Sequence, residues 1–313
     1  MRIWTPIVAA AMAAAALAPA KAETFINILT GGTSGIYYPL GVAMESIFAG
    51  AVPDARPSVQ STKASVENLN LIQQGKGEIA LTLGDSLLFA VQGNADAGFA
   101  QPLDKLRTVA AIYPNYVQVV ASAESGIKTL EDLRGKGLSV GAPKSGTELN
   151  ARAILGAAGI TYEDLGKTEY LPFGESVELI KNRQLDATLQ SAGLGVSSIR
   201  DLAASVAITV VEIPASIVEK VGAPYQPGVI PAGTYAGQDA DVPTASIQNY
   251  LVTSADVPEE VVYQMTKAIF ENLDKLVAAH AAAGAIKLES AAKNPPAPLH
   301  PGAERYFKEA GAL

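Results

Sequence analysis

From Asn27 to Leu40 the chain reads NILTGGTSGIYYPL. A short apolar run stops at Gly31-Gly32-Thr33-Ser34-Gly35, and a helical pattern follows as far as Phe48. Strand, tight glycine turn and helix start follow one another there. Glycines let the backbone turn sharply and come close to a bound group. The helix start offers unpaired N–H groups and the positive end of the helix dipole, which suits an anion.

The same order then recurs along the chain. Pro57 to Ser61 reads as a strand, and Thr62-Lys63-Ala64-Ser65 opens a helix that ends at Gly75-Lys76-Gly77. Glu78 to Leu83 is a strand, with Gly84-Asp85-Ser86 opening the next helix. Farther on, Leu138 to Gly141 leads through Pro143-Lys144-Ser145-Gly146-Thr147-Glu148 into a helix over Leu149 to Ala158. Ser145 and Glu148 have the spacing of a capping box. Asp186 to Gln190 runs into Ser191-Ala192-Gly193 and another helix. Strands alternating with helices predict an α/β sheet with crossover helices. In such a sheet the turns gather at the C-terminal edge of the strands, where ligands bind.

A chain of 313 residues has material for two domains. Two long β-rich runs, Val109 to Ala121 (interrupted by Pro114) and Ile247 to Thr253, read as crossings between them. The expected division is domain 1 over 23–121 and 247–313, with domain 2 over 122–246. Pro258 to His280 is read as one long helix, with Val262, Met265, Ile269, Leu273, Leu276 and Val277 on its apolar face. The Pro-rich stretch Asn294 to Pro301 is expected to lie along the surface.

Composition narrows the function. A net charge of −8 without clustering argues against nucleic acid and anionic membranes as partners. Any bound anion must be held by local dipoles and a few side chains. The chain has no cysteine and only His280 and His300, so thiol chemistry, a His-rich metal site and a Ser-His-Asp triad lack material. No cofactor, metal or catalytic residue is expected. A phosphate loop is excluded at Pro143 to Thr147 because the G-x-x-x-x-G-K-[ST] order is absent. Asp239 and Asp241 lack the further oxygen ligands of a calcium loop. Arg2, the apolar run Ile7 to Leu17 and Ala20-Lys21-Ala22 form a secretory leader pattern with cleavage after Ala22. A periplasmic location follows as the expectation.

The candidate ligand-binding residues are those on the recurring turns and beside them. They are Ser34, Gly35, Tyr37 and Tyr38 on the first turn, Ser65 and Asn68 on the second, and Asp85 on the third. Ser145, Gly146 and Thr147 follow in the second domain, with Gly193 on its last turn and Tyr113 on the first crossing. Their hydroxyl and amide groups suit hydrogen-bonded recognition, and no base stands near a serine to activate it.

Several of these runs resemble the TAXI family, the exported solute receptors of TRAP transporters. The likeness is carried by GGTSGIYY at 31–38, SVENL at 65–69, SVGAPKSGTE at 139–148, IPAGTY at 230–235, QDADVPT at 238–244 and PLHPGAERY at 298–306. It implies a two-domain, hinged periplasmic binding protein of the type II class, with the ligand in the interdomain cleft. It also implies a monomer that captures a small carboxylate, of glutamate-like or dicarboxylate type, for membrane permease subunits of a TRAP transporter driven by an ion gradient. A ligand-sensing subunit and an enzyme on the same fold are the alternatives.

Overall fold

A computed structural model of the chain describes residues 23–313. The predicted leader and its cleavage site after Ala22 lie outside the described residues.

The first part of the chain alternates as expected: β1 (Thr24–Leu29), α1 (Tyr37–Ala51), β2 (Ala55–Gln60), α2 (Ser65–Gln73), β3 (Ile79–Leu83) and α3 (Gly84–Gln92). The long strand β4 (Leu106–Ser122) follows. A second series runs β5 (Gly137–Ser139), α4 (Gly146–Ala157), β6 (Lys167–Glu169), α5 (Phe173–Lys181), β7 (Ala187–Ala192), α6 (Ser197–Ser205), β8 (Ile208–Val211), α7 (Ala215–Val221) and β9 (Gln226–Ile230). The second long strand, β10 (Val242–Ser254), leads to α8 (Glu259–Phe270), α9 (Leu273–Ala279), α10 (Leu288–Ala291) and α11 (Pro301–Glu309).

The two series have matching topology. In the first, β2, β1 and β3 lie parallel in that order, and β10 adds antiparallel beside β3. In the second, β6, β5 and β7 lie parallel, and β4 adds antiparallel beside β7. Each lobe is therefore closed by one long strand from the crossing pair. β3 and β7 are buried along their whole length, as strands covered on both faces are; β3 is mostly apolar, whereas β7 also buries Thr188, Gln190 and Ser191. This is a mixed α/β architecture of the two-domain periplasmic binding protein type.

β4 and β10 pair with each other between the lobes, and their ladder slips register twice, between Gln248 and Tyr250 and between Leu251 and Val252. Gln248 faces Pro114, yet Tyr250 faces Ala111. Pro114 has no N–H to give to the ladder, and a bulge is where a strand tolerates that residue. The irregularity sets Tyr113, Asn115 and Asn249 side by side between the lobes.

The long helix expected over Pro258 to His280 is two helices. Asn272 leaves the helical region at φ −134°, ψ 35°, and its side-chain amide donates to the Ala268 carbonyl at 2.8 Å. That bond caps the first helix and competes with continuation. Val262, Met265, Ile269 and Leu276 are buried as the stripe requires, whereas Val277 is exposed. The stretch 294–301 does not simply lie on the surface. Thr108 N–H donates to the Pro298 carbonyl at 2.8 Å, His300 N–H returns to Thr108 at 2.9 Å, and Ala297 and His300 are buried.

The HPG run at 300–302 has a packing cause. His300 Nδ1 accepts from Gly302 N–H at 3.2 Å and starts α11, with Pro301 at its first position. Gly302 is where α11 meets α8: a methyl there would sit 2.2 Å from the Glu259 carbonyl oxygen and 2.6 Å from the Tyr263 nitrogen. Backbone atoms cannot yield as a side chain would. Gly302→Ala is expected to lower stability by about 1–3 kcal/mol, the usual cost of overpacking. A urea midpoint that falls at unchanged slope would show it; an unshifted midpoint would refute the packing account.

Candidate ligand-binding cleft

The lobes enclose a cavity of about 180 Å³ at the C-terminal ends of their parallel strands. It suits a small metabolite. Four helices begin on its wall: α1 at Gly35, Ile36 and Tyr37, α2 at Lys63, Ala64 and Ser65, α4 at Gly146 and Thr147, and α5 at Pro172 and Phe173. Two belong to each lobe. The floor comes from the crossing strand and the end of β7, through Tyr113, Asn115, Ser191 and Ala192.

The floor is held by a chain of amides at the β4–β10 irregularity. Tyr37 hydroxyl donates to Asn249 Oδ1. Asn249 Nδ2 donates to Asn115 Oδ1 at 2.6 Å and to the Tyr113 carbonyl at 2.8 Å. Asn115 Nδ2 donates in turn to the Ser191 carbonyl at 2.9 Å. One continuous path thus runs from α1 through both crossing strands to β7. Burial pushes the Tyr37 and Tyr113 phenols up from their ordinary range, so both remain protonated donors. Tyr113 hydroxyl and Ser191 Oγ are buried on this floor with no hydrogen-bond partner.

The wall has a simple charge pattern. Lys63 is its single charged residue, and no carboxylate lines the cavity. The helix starts add the positive ends of four dipoles. Ala64 holds φ 70° and ψ −149°, a conformation disfavoured for any residue with a Cβ. The strain lies in the turn that presents α2 to the cavity.

Bonds across the cleft hold the lobes together. Ser34 Oγ accepts from Gly174 N–H at 3.0 Å, at the start of α5, and the Ser34 carbonyl accepts from Ser197 Oγ at 3.0 Å. Glu67 N–H donates to the Lys144 carbonyl at 3.2 Å. Beside the cavity, Asp85 Oδ2 accepts from Asn150 Nδ2 and from Tyr225 hydroxyl, both at 2.6 Å, while its Oδ1 accepts from Ser86 N–H at 2.6 Å. Asp85 is fully buried.

Of the residues expected from the sequence, Ser34, Gly35, Tyr37, Ser65, Tyr113, Gly146 and Thr147 line this one cavity. The others stand behind it. Asn68 ties β1 to β3, donating to the Thr30 and Leu81 carbonyls at 2.7 and 2.8 Å. Ser145 Oγ accepts from Glu148 N–H at 3.1 Å and caps α4, but Glu148 does not complete the capping box, since its carboxylate pairs with Arg152 at 2.6 Å. Gly193 leaves room for Ile36 and Tyr113, which a methyl would meet at 2.8 and 3.1 Å. Tyr38 is half-buried on α1, outside the lining. Asp85 bridges the lobes and likewise does not line the cavity.

Phe173 and Asn115 were not anticipated. Phe173 is the first residue of α5, and Pro172 before it was the available signal. Asn115 is a polar residue next to a proline inside an otherwise apolar crossing, which is itself a mark of an interrupted strand. The two aspartates weighed for calcium are not joined by further ligands: Asp241 Oδ1 accepts from Ala232 N–H at 2.8 Å, and Asp239 is exposed.

A family model described as NMT1-like matches residues 28–311. The chain belongs to the NMT1-like family. Solved structures share its fold at low identity. MatC from Rhodopseudomonas palustris, with bound malate, is 12% identical with a TM-score of 0.57, covering 93% of this chain and 97% of that one. A binding protein component of an ABC phosphonate transporter from Pseudomonas aeruginosa is 12% identical at TM-score 0.52, with 85% and 81% covered. A putative L-cystine ABC transporter protein from Listeria monocytogenes is also 12% identical at TM-score 0.52, with 84% and 98% covered. The NMT1-like chain thus shares its architecture with solute-binding proteins of transport systems. Among its described residues no helix is long and apolar enough to cross a membrane.

Asp85 gives the NMT1-like cleft a titration of its own. Burial raises its carboxyl to about 6, against the opposing bonds from Tyr225, Ser86 and Asn150. A carboxyl raised in the folded state binds more protons there than in the unfolded chain, so its contribution to stability grows as pH falls through about 6 towards 4. The span from about 6 to the ordinary value bounds this gain at about 3 kcal/mol. Relative to Asp85→Asn, the wild type should become more stable between pH 7 and pH 4.5, read from urea midpoints of both proteins. A difference that stays flat over that range would show that Asp85 does not titrate there.

Proposed function

We propose that this chain is an extracytoplasmic solute receptor that captures a small carboxylate and delivers it to a TRAP permease driven by an ion gradient. The observation that carries the ligand class is the wall: four helix N-termini and Lys63 face one small cavity that no carboxylate lines. In an acidic protein this is a local reversal of sign. Helix starts and backbone N–H groups are a standard means of holding an anion, and hydroxyls on Ser65 and Thr147 add further donors.

In this reading residues 23–121 and 247–313 form one domain and 122–246 the other, with β4 and β10 as the hinge. A ligand touching α1 and α2 on one side and α4 and α5 on the other is bound fully only when the lobes meet. It therefore stabilises the closed arrangement. The TAXI-like runs at 31–38, 65–69 and 139–148 coincide with three of the four helix starts, which supports the TRAP assignment. Export to the periplasm rests on the leader pattern at residues 1–22.

A thermal-shift panel of organic acids and their neutral amides tests the class. A bound ligand raises the melting point in step with RT ln(1 + [L]/Kd). Acids should shift it and amides should not. Lys63→Gln should then weaken the best acid by roughly 3- to 30-fold, between the worth of an exposed ion pair and that of a charge-assisted hydrogen bond. Equal shifts from acid and amide, with no effect of Lys63→Gln, would sink the anion reading.

A further inference from the structure

We propose that the cavity has two chemically distinct ends, and that its ligand is a small carboxylate whose second polar group is a neutral oxygen, a carbonyl or hydroxyl, and not an ammonium. The inference rests on the reading of the helix-lined wall as an anion site and concerns what the floor reads.

The exclusion of an ammonium comes from charge. An amino acid brings a cation into the cavity along with its carboxylate. A buried cation needs a carboxylate or several oriented carbonyls, and without them its desolvation is not recovered. No Asp or Glu lines this cavity, and Lys63 lies on its wall. Asp85, the buried carboxylate of the cleft, is outside the lining and already accepts from Ser86, Asn150 and Tyr225. The four helix starts also carry positive potential, which opposes a second cation.

The demand for an oxygen comes from the floor. Tyr113 is 1% exposed and Ser191 6% exposed, and the hydroxyls of both lack a hydrogen-bond partner. The surrounding amides are committed. Asn249 is taken up by Tyr37, Asn115 and the Tyr113 carbonyl, and Asn115 by Ser191's carbonyl and Asn249. The two hydroxyls have no partner within the protein, and their oxygens are almost without accessible surface, so a ligand oxygen meets them as the floor side chains shift towards it. Leaving a buried donor unsatisfied is costly, so a ligand oxygen placed there recovers that cost on binding. A phenol offers one donor, while a serine hydroxyl both donates and accepts. Together they accommodate a carbonyl or a hydroxyl oxygen. An unsubstituted methylene at that position would leave both unpaired.

Calorimetry on the chain from Glu23 onward at pH 7.5 tests this with isosteric probes of three and five carbons. The five-carbon set is glutarate, 2-oxoglutarate, 2-hydroxyglutarate and L-glutamate; the three-carbon set is propionate, pyruvate, lactate and L-alanine. In at least one set the oxo or hydroxy acid should bind tenfold or more tighter than both the amino and the unsubstituted acid. Tyr113→Phe should shrink the ratio between oxo and unsubstituted acid towards one, and its melting point without ligand should not fall, because the lost hydroxyl had no partner. Ser191→Ala should shrink the same ratio. An amino acid that binds as tightly as its oxo isostere overturns the proposal while leaving the anion site standing. So does a ratio unmoved by both variants. If no acid of either set binds, the anion reading fails and this inference falls with it.

Discussion

The cleft depends on the interrupted pairing of β4 with β10. A regular antiparallel ladder would run straight through the junction of the lobes and fill it with alternating side chains. Pro114 prevents that by withdrawing one N–H, and the register slips between Gln248 and Tyr250. Asn249 falls in the slip. Freed from the regular ladder, it binds Tyr37 from α1, Asn115 from β4 and the Tyr113 carbonyl. A proline in a crossing strand thus lies where one ten-stranded sheet passes from one lobe to the other, beside the polar floor of the cavity.

The walls follow from topology. Parallel strands need crossover helices, and each such helix begins at the C-terminal edge of the strand before it. Two lobes of the same order, facing each other across a shared antiparallel pair, bring two such edges together. The helix starts that point at the cavity are a consequence of that symmetry. Their positive ends act at short range, whereas the diffuse field of a chain carrying −8 net charge is screened over about a Debye length.

The alternation of strand, turn and helix was legible in the sequence because each turn carries its own chemistry, as in GGTSG, TKAS and KSGT. The two crossings were legible from their length and apolar content. What a turn's side chains do was harder to read. Ser34, Ser65, Asn68, Asp85 and Ser145 are all polar residues beside helix starts and all bond to the protein's own backbone, yet only Ser34 and Ser65 also line the cavity. That division depends on where neighbouring backbone groups fall, which spacing along one segment does not reveal. Asn115 and Phe173 were hidden for the opposite reason, since each serves the cavity only through partners more than 50 residues away. The break at Asn272 was missed because the apolar stripe continues across it and only the asparagine marks the stop.

Asp85 shows why a polar residue at a cleft need not touch what the cleft holds. Its carboxylate lies on the first lobe at the start of α3, and two of its donors, Asn150 and Tyr225, come from the second. Burying that charge costs more than its short bonds return, which is why its carboxyl is raised to about 6. In the proposed receptor, that residual cost and the cross-lobe bonds together bear on closure. If cross-lobe bonds alone made the shut form overwhelmingly stable, a ligand could not enter. If they contributed nothing, all of the ordering would be charged against ligand affinity. Ser34 works in the same way at the other side of the cavity, bonded to α5 and α6 through both its hydroxyl and its carbonyl. Polar contacts set the lobes near each other, and on the proposed function the cavity between them is where a small anion would tip the equilibrium.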